Sequence, residues 1–449
     1  MQSSVPELIA ALCPEDAEIE LYNEKEGDIP LDRHWDLVFF SYLHSFYEHT
    51  KVLSALFRQR GMTTVAGGRH ASQFQDDCLR HFDCVVNGEP EANVPQLISD
   101  FQRGDLKRVY NLHSIGPAAI KPYRYDLIDY KTNYIRLPGI EASRGCPFTC
   151  NFCVLTGKEK YRFRPVKEVV AEIEHQMTWN RNLFGVFDGG FVFLDNNLGG
   201  SPKYLRELCE SLVPLKKKWG CALTFNILEN EELVRLMAKA GCRYIYTGLE
   251  SLNPDSIQSM NKRQNRLGEV RRVLRRTYSS GILLSFGMIV GSDGDTSEYL
   301  EKVPEYLADI DCQSITYLGI VCPYPGTPFH RQLEMEGRLL PGTISRDYDG
   351  YTLCHRPSRL DVSEVVEHYK RLSRSLSSFT SIAQHYWGKL WMSDLPGYRT
   401  SILVSAREIF SVRNPCDNRE RTFIGGRDPI EEWDARMMRE LRLEPQWLS

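Results

Sequence analysis

Apolar and polar positions follow two successive rhythms along the chain. Early on, the runs "AEIELYNE" (17–24), "WDLVFFSYL" (35–43), "MTTVAGG" (62–68) and "DCVVNGE" (83–89) read as strands, while 46–60, 73–82 and 92–104 repeat their apolar residues at helical spacing. This alternation predicts a Rossmann-like domain over residues 1–110, a small parallel sheet covered by helices. The period is lost across 111–134, which reads as a linker. A second alternation then begins, with candidate strands "IRLPGIEAS" (135–143), "FVFLDNN" (191–197), "ALTFNI" (222–227), "RYIYTGLE" (243–250), "LLSFGMIVG" (283–291) and "SITYLGIV" (314–321). Helical patterns separate them. Val166, Val169, Val170, Ile173 and Met177 fall on one face, as do Leu233, Leu236, Met237 and Ala240, after which Gly241 is placed to end the helix. Six such repeats predict a partial (β/α)6 TIM-type barrel over 135–345. The remainder, 346–449, reads as a mainly helical extension with a polar tail.

Composition narrows the class without naming a chemistry. The chain has 449 residues, too many for one ordinary core, and its 42% apolar and 25% charged residues with a formal charge of −4 describe a globular protein with no phosphate-tracking surface. Nucleic acid is therefore not an expected partner. No apolar run approaches the ~18 residues of a membrane span, and the start lacks a cationic stretch followed by an apolar one, so a soluble cytoplasmic protein is expected. Thirteen cysteines without a secretion signal fit reduced thiols and a metal site better than a disulfide framework. Cys78, Cys84, Cys209, Cys242 and Cys312 lie in or beside apolar stretches, where a free thiol is a small buried hydrophobe.

Three others are different. "RGCPFTCNFC" places Cys146, Cys150 and Cys153 within eight positions, directly after the first barrel strand. In strand-helix barrels the loops after the strands carry the chemistry, and Gly145 and Pro147 favour a loop that can wrap an inorganic group. A four-iron four-sulfur cluster has four irons to ligate, so three thiolates leave one iron open, which marks a reactive centre rather than a structural one. The rival reading is a zinc site closed by a distant fourth cysteine or histidine in a non-catalytic protein.

The C-x3-C-x2-C spacing with Phe152 before the last thiol resembles the signature of radical S-adenosylmethionine (SAM) enzymes, in which the open iron chelates SAM and an electron from the cluster cleaves it to methionine and a 5′-deoxyadenosyl radical. Other stretches look like the subgroup whose radical domain follows a cobalamin-binding domain: "YRFRPVKEVVAEIE", "MAKAGCRYIYTGLESLNPDSIQSMNK", "GMIVGSDGDT", "PYPGTPFH" and "LEMEGRLL". The resemblance implies that Phe152 flanks the adenine and that Asp195, Asn196 and Asn197 meet the methionine amino group. It places Glu250, Ser251 and the stretch from Gly291 to Asp293 along the ribose and carboxylate.

The resemblance also implies a cobalamin site in the front domain, from Ser41, the glycine turn at Gly67, Gly68 and His70, and the turn at Gly88 and Glu89. No D-x-H-x-x-G motif is present, and the chain starts almost at its first helix, so a degenerate domain that only buttresses the barrel is the alternative. His34, His44, His49 and His70 match no ligand spacing and read otherwise as ordinary histidines. The expected reaction is hydrogen abstraction from an unactivated C–H bond of a small or lipid-like substrate, followed by cobalamin-dependent C-methylation. Rearrangement, ring formation or oxidation without cobalamin is the rival outcome. A flavodoxin or ferredoxin would supply the electron.

Overall fold

The computed structural model describes residues 5–22, 29, 31–112, 120–127, 138–156, 160–179, 190–310, 312, 315–377 and 437. Among these, two compact units form, the first from residues within Met1–Pro138, Ile344–Asp349 and Gly426–Ser449, the second from residues within Gly139–Thr343 and Gly350–Gly425. Most of the polar tail expected after residue 346 lies outside the described residues.

The first unit runs α1 (Val5–Ala11), β1 (Leu37–Ser41), α2 (Tyr47–Gln59), β2 (Thr63–Gly67), α3 (Arg69–Gln73), α4 (Gln75–His81), β3 (Cys84–Val86), α5 (Pro90–Gln102) and β4 (Val109–Tyr110). The four strands form one sheet in the order of the chain, and every pair is parallel. β3 is buried at all three positions, which is why it reads as an unbroken apolar run rather than an alternation. Leu56, Ala66, Phe82 and Val85 are fully enclosed around it. Ser54, on α2, donates to the His81 carbonyl of α4 at 2.6 Å and lies 3.0 Å from Thr64 Oγ1 of β2, so the helix meets its neighbours through polar groups as well as by packing.

Two expectations fail here. Residues 17–22 of the run "AEIELYNE" form no strand; Glu20 is taken up locally by Tyr22 and Arg33 instead of facing a neighbouring ladder. β4 falls where no strand is expected, because two residues are too few to register a period.

In the second unit the chain runs β5 (Gly139–Ile140), β6 (Ser143–Arg144), β7 (Arg162–Phe163), α6 (Val166–Trp179), β8 (Phe191–Phe193), α7 (Pro202–Leu212), β9 (Trp219–Ala222), α8 (Glu231–Lys239) and β10 (Cys242–Glu250). It continues with α9 (Pro254–Ser259), α10 (Val270–Ser279), β11 (Leu283–Val290), α11 (Ser297–Asp309), β12 (Ile315–Ile320), α12 (Pro328–Met335) and α13 (Val362–Ser377). Strands β5, β8, β9, β10, β11 and β12 make a six-stranded sheet in that order, with every neighbour parallel. The helix starts are well specified: Ser201, Asn230, Thr296 and Thr327 each accept a backbone N–H of the first turn. One enclosed core joins sheet and helices, including Ile140, Phe193, Leu205, Phe225, Ile245, Val273 and Phe286. α13 packs Val365, Tyr369 and Leu372 with Leu300 and Val303 of α11.

The "ALTFNI" expectation is displaced. The strand ends at Ala222, and Phe225–Glu229 is a 3-10 turn that buries Phe225, Ile227 and Leu228. A turn that buries alternate apolar residues imitates a strand on paper. The first barrel strand is also shorter than expected: after Ile140 the chain leaves the sheet, and Ser143–Arg144 pairs antiparallel with Arg162–Phe163. That small ladder clasps both ends of the segment carrying the three cysteines.

Candidate radical centre

The clasp needs a glycine. Gly145 has φ +81°, and a Cβ there would stand 2.9 Å from the Lys160 carbonyl oxygen, across the neck of the loop. Beyond it the loop folds on itself and is then pinned to the segment after α9. Cys153 N donates to Cys150 O at 3.2 Å and Thr156 N to Cys153 O at 3.1 Å. Asn151 N donates to Met260 O at 3.1 Å, Asn151 Nδ2 to Ser259 O at 2.8 Å, and Asn261 Nδ2 to Thr149 O at 2.7 Å. The cysteine loop is therefore built as one piece with residues 259–265 although more than a hundred positions separate them.

This pinning brings a buried ion pair to the thiols. Glu250, at the end of β10 with φ +65°, binds Lys262, and the two side chains are 11% and 8% exposed. Gly248 leaves the room, since a Cβ there would meet Glu250 Oε1 at 2.1 Å and Lys262 Nζ at 2.6 Å. Burial works against the Lys262 charge, but Glu250 and Cys150 hold its pKa above the ordinary lysine value. Its Nζ also lies 5.9 Å from the centre of the Phe152 ring. Burial raises the Cys150 and Cys153 thiols, a cost that metal ligation and the Lys262 charge offset in the thiolate. Gln264 Nε2 approaches Cys150 Sγ at 3.3 Å and Asn197 Nδ2 approaches Cys146 Sγ at 3.7 Å. Three thiols, N–H donors aimed at sulfur and a buried cation form a donor set suited to an iron-sulfur cluster. Among the described residues no three His, Cys, Asp or Glu side chains converge on a single-ion site.

The other expected residues divide. Phe152, Asn197 and Glu250 meet the cysteine loop or its partners, and Asn196 is exposed at the end of β8. Asp195 instead turns back onto the first strand: Oδ2 accepts from Ala142 N at 3.1 Å and Oδ1 from the Ser143 hydroxyl. Ser251 donates to the Tyr299 hydroxyl at 2.8 Å. Gly291 N donates to Asp295 Oδ2 at 2.8 Å, and its carbonyl faces His355 Nε2 at 3.0 Å. Asp293 is gripped by Arg338 at 2.7 and 2.8 Å and by Ser358 N at 2.9 Å. Burial would raise its carboxyl, but these donors hold it below the usual carboxylate range. Both carboxylates sit at strand ends, as expected, but their oxygens serve the chain itself. Lys262 lies in one of the stretches noted above without a role, and Gln264 is absent from them; the polar run "NKRQN" after the short helix α9 carries no mark that ties it to the cysteines.

Asp195 carries a pH consequence. Burial pushes its carboxyl up to about 7, against the hydrogen bonds from Ser143 and Ala142. A raised folded-state value means that the folded chain holds a proton that the unfolded chain releases near pH 4, so stability falls as pH rises from about 4 through about 7, by on the order of 4 kcal/mol. Asp195→Asn keeps an acceptor for Ala142 and cannot ionise. Urea unfolding at pH 5 and pH 8 is expected to lose stability with pH in the parent and to be flatter in the variant; equal slopes would contradict the assignment.

In the first unit, Ser41, Gly67 and Gly88 stand at or just past the carboxyl ends of their strands, where parallel sheets present ligands. Gly68 has φ +92°, and a Cβ there would have only ordinary contacts, the nearest 3.5 Å from Ser41 Oγ. Glu89 precedes the first turn of α5. His70 is buried among Tyr42, Tyr47 and Phe74, with Nδ1 2.5 Å from His44 Nδ1 and Nε2 without a hydrogen-bond partner. Burial and the neighbouring His44 lower its pKa to about 3, so it is neutral.

Residues 140–307, which contain the cysteine loop, the ion pair and most of the six-stranded sheet, match the Radical SAM superfamily. These residues form a radical SAM domain, and the chain is an enzyme. Over 391 residues it is 27% identical to bacteriochlorophyllide d C-12(1)-methyltransferase of Chlorobaculum tepidum, covering 85% of this chain and 84% of that protein. Over 348 residues it is 26% identical to hopanoid C-2 methylase of Rhodopseudomonas palustris, covering 74% and 64%. In fold, the chain resembles the cobalamin-dependent SAM radical enzyme OxsB solved with aqua-cobalamin and SAM, at TM-score 0.64 and 14% identity over 98% of this chain and 78% of that one. Among the described residues no helix is long and apolar enough to cross a membrane.

Proposed function

We propose that this radical SAM enzyme is a cobalamin-dependent C-methyltransferase that methylates an unactivated carbon on a large, mostly apolar ring system, a tetrapyrrole or a polycyclic lipid. The observation that supports it best is similarity that runs through 85% of the chain to a bacteriochlorophyllide methyltransferase. In this reading the domains are the Rossmann-like 1–110, the linker 111–134, the partial (β/α)6 barrel 135–345 and the extension 346–449. The protein works in the cytoplasm, with a flavodoxin or ferredoxin as electron donor.

When bound, the cluster supplies the electron that splits SAM into methionine and a 5′-deoxyadenosyl radical, and cobalamin supplies a methyl group to the substrate carbon. The chain's own work is holding and excluding. Cys146, Cys150 and Cys153 ligate three irons, and Phe152 flanks the adenine. Asn196, exposed at its strand end, meets the methionine amino group, with Asp195 fixing that strand end against Ser143. Glu250 and Lys262 set a paired charge beside the thiols. Ser251, Gly291 and Asp293 shape the wall along ribose and carboxylate through Tyr299, Asp295 and Arg338. Ser41, Gly67, Gly68, His70, Gly88 and Glu89 form the cobalamin face, whose orphaned His70 Nε2 is a polar atom suited to such a ligand.

Gly68→Val tests the division of labour. Bulk at this turn is expected to abolish methylated product while 5′-deoxyadenosine still forms, because radical generation needs only cluster and SAM. Valine at positive φ is itself strained by roughly 1–3 kcal/mol, so circular dichroism and cluster absorption must match the parent. A parent that binds no cobalamin and turns over fully without it fails the proposal and leaves rearrangement, ring formation or oxidation.

A further inference from the structure

Two of the three cysteine sulfurs face a side-chain amide N–H, and the two amides come from separate places in the chain. Asn197, just after β8, puts Nδ2 3.7 Å from Cys146 Sγ. Gln264, after α9, puts Nε2 3.3 Å from Cys150 Sγ. The Asn197 amide is held in orientation by a neighbour. Asn197 Oδ1 accepts from Thr224 N at 3.2 Å and from Thr224 Oγ1 at 3.3 Å, which orients its NH2 toward sulfur. Asn197 is 1% exposed and Gln264 9%, so their donors sit where water cannot replace them. An uncharged thiol is a weak acceptor, whereas a thiolate accepts charge-assisted bonds; buried amide donors placed on two sulfurs suit ligands that carry charge.

Hydrogen bonds to ligating sulfur stabilise the more negative, reduced cluster and raise its reduction potential. We infer that Asn197 and Gln264 are tuning and positioning groups for the cluster, one amide N–H to each of two thiolates, and that Asn197 serves in this way rather than binding the SAM amino group. The inference rests on the radical SAM reading of the site. It assigns to Gln264 a role in setting how readily the cluster accepts the electron that SAM cleavage consumes. Gln264 is the better position to test, because Asn197 also holds Thr224.

The experiment is a reductive titration of the reconstituted full-length chain without SAM, followed by electron paramagnetic resonance, with iron and sulfide measured on the same samples. Gln264→Leu, which removes the donor and keeps the bulk, is expected to hold parental iron and sulfide and to show a lower midpoint potential. Gln264→Glu, which replaces the donor by a carboxylate, is expected to lower it further. An unchanged midpoint in a fully loaded Gln264→Leu overturns the inference. If that variant loses iron, Gln264→Met carries the same test; loss of iron there too makes the residue structural and also overturns it. A parent chain that assembles no [4Fe-4S] cluster would instead sink the radical SAM reading, before any variant is compared.

Discussion

Single replacement of Cys146, Cys150 or Cys153 by alanine is expected to abolish both cluster assembly and 5′-deoxyadenosine formation. Two thiolates cannot hold three irons, and no other cysteine stands in the clasped loop to substitute. The loop itself should survive, because its ladder at Ser143–Arg144 and its bonds to Ser259, Met260 and Asn261 do not pass through sulfur. Cys84→Ala, a buried thiol of the first sheet, is the control and should keep the full cluster. Iron analysis and quantitation of 5′-deoxyadenosine check both. A Cys150→Ala protein that makes 5′-deoxyadenosine at the parental rate would remove the basis of the assignment.

The second large effect is at the ion pair. Lys262→Met strands Glu250 with a side chain only 11% exposed, and breaking a buried pair in this way costs about 3–5 kcal/mol. The neighbouring thiolates also lose their cation, so iron loading should drop together with stability. Adding Glu250→Gln removes the stranded charge, and the double variant should recover most of the lost stability, the signature of a coupled pair in a double-mutant cycle. Urea denaturation of the four proteins measures it. A loss below about 1 kcal/mol in Lys262→Met would mean that the pair behaves as a solvated surface contact.

What the sequence made legible was whatever depends on spacing along the chain. The six strands of the second unit's parallel sheet appear near their observed places, apart from the displaced third, because buried parallel strands are compact apolar runs, and the cysteines stand out because chain proximity is itself the motif. Contacts between distant segments left no such mark. Nothing in the row of letters ties Asn151 to Met260, so neither Gln264 nor the Lys262–Glu250 pair is readable as part of the cysteine site. Asp195 was placed at the right strand end, but its partners, Ala142 and Ser143, come from a strand that leaves the sheet early. The run at 17–24 failed for the complementary reason: alternation is necessary for a strand, but a paired neighbour is what makes one.

Radical generation and methyl donation each consume a SAM and leave different remnants, 5′-deoxyadenosine from one and S-adenosylhomocysteine from the other. The most direct measurement is therefore the count of both against methylated product, in anaerobic turnovers of the full chain with a bacteriochlorophyllide substrate, with and without cobalamin. The expected result is one of each remnant per methylated product with cobalamin, and 5′-deoxyadenosine alone without it. Methylated product formed at the same rate without cobalamin, or without any 5′-deoxyadenosine, would contradict the proposed chemistry.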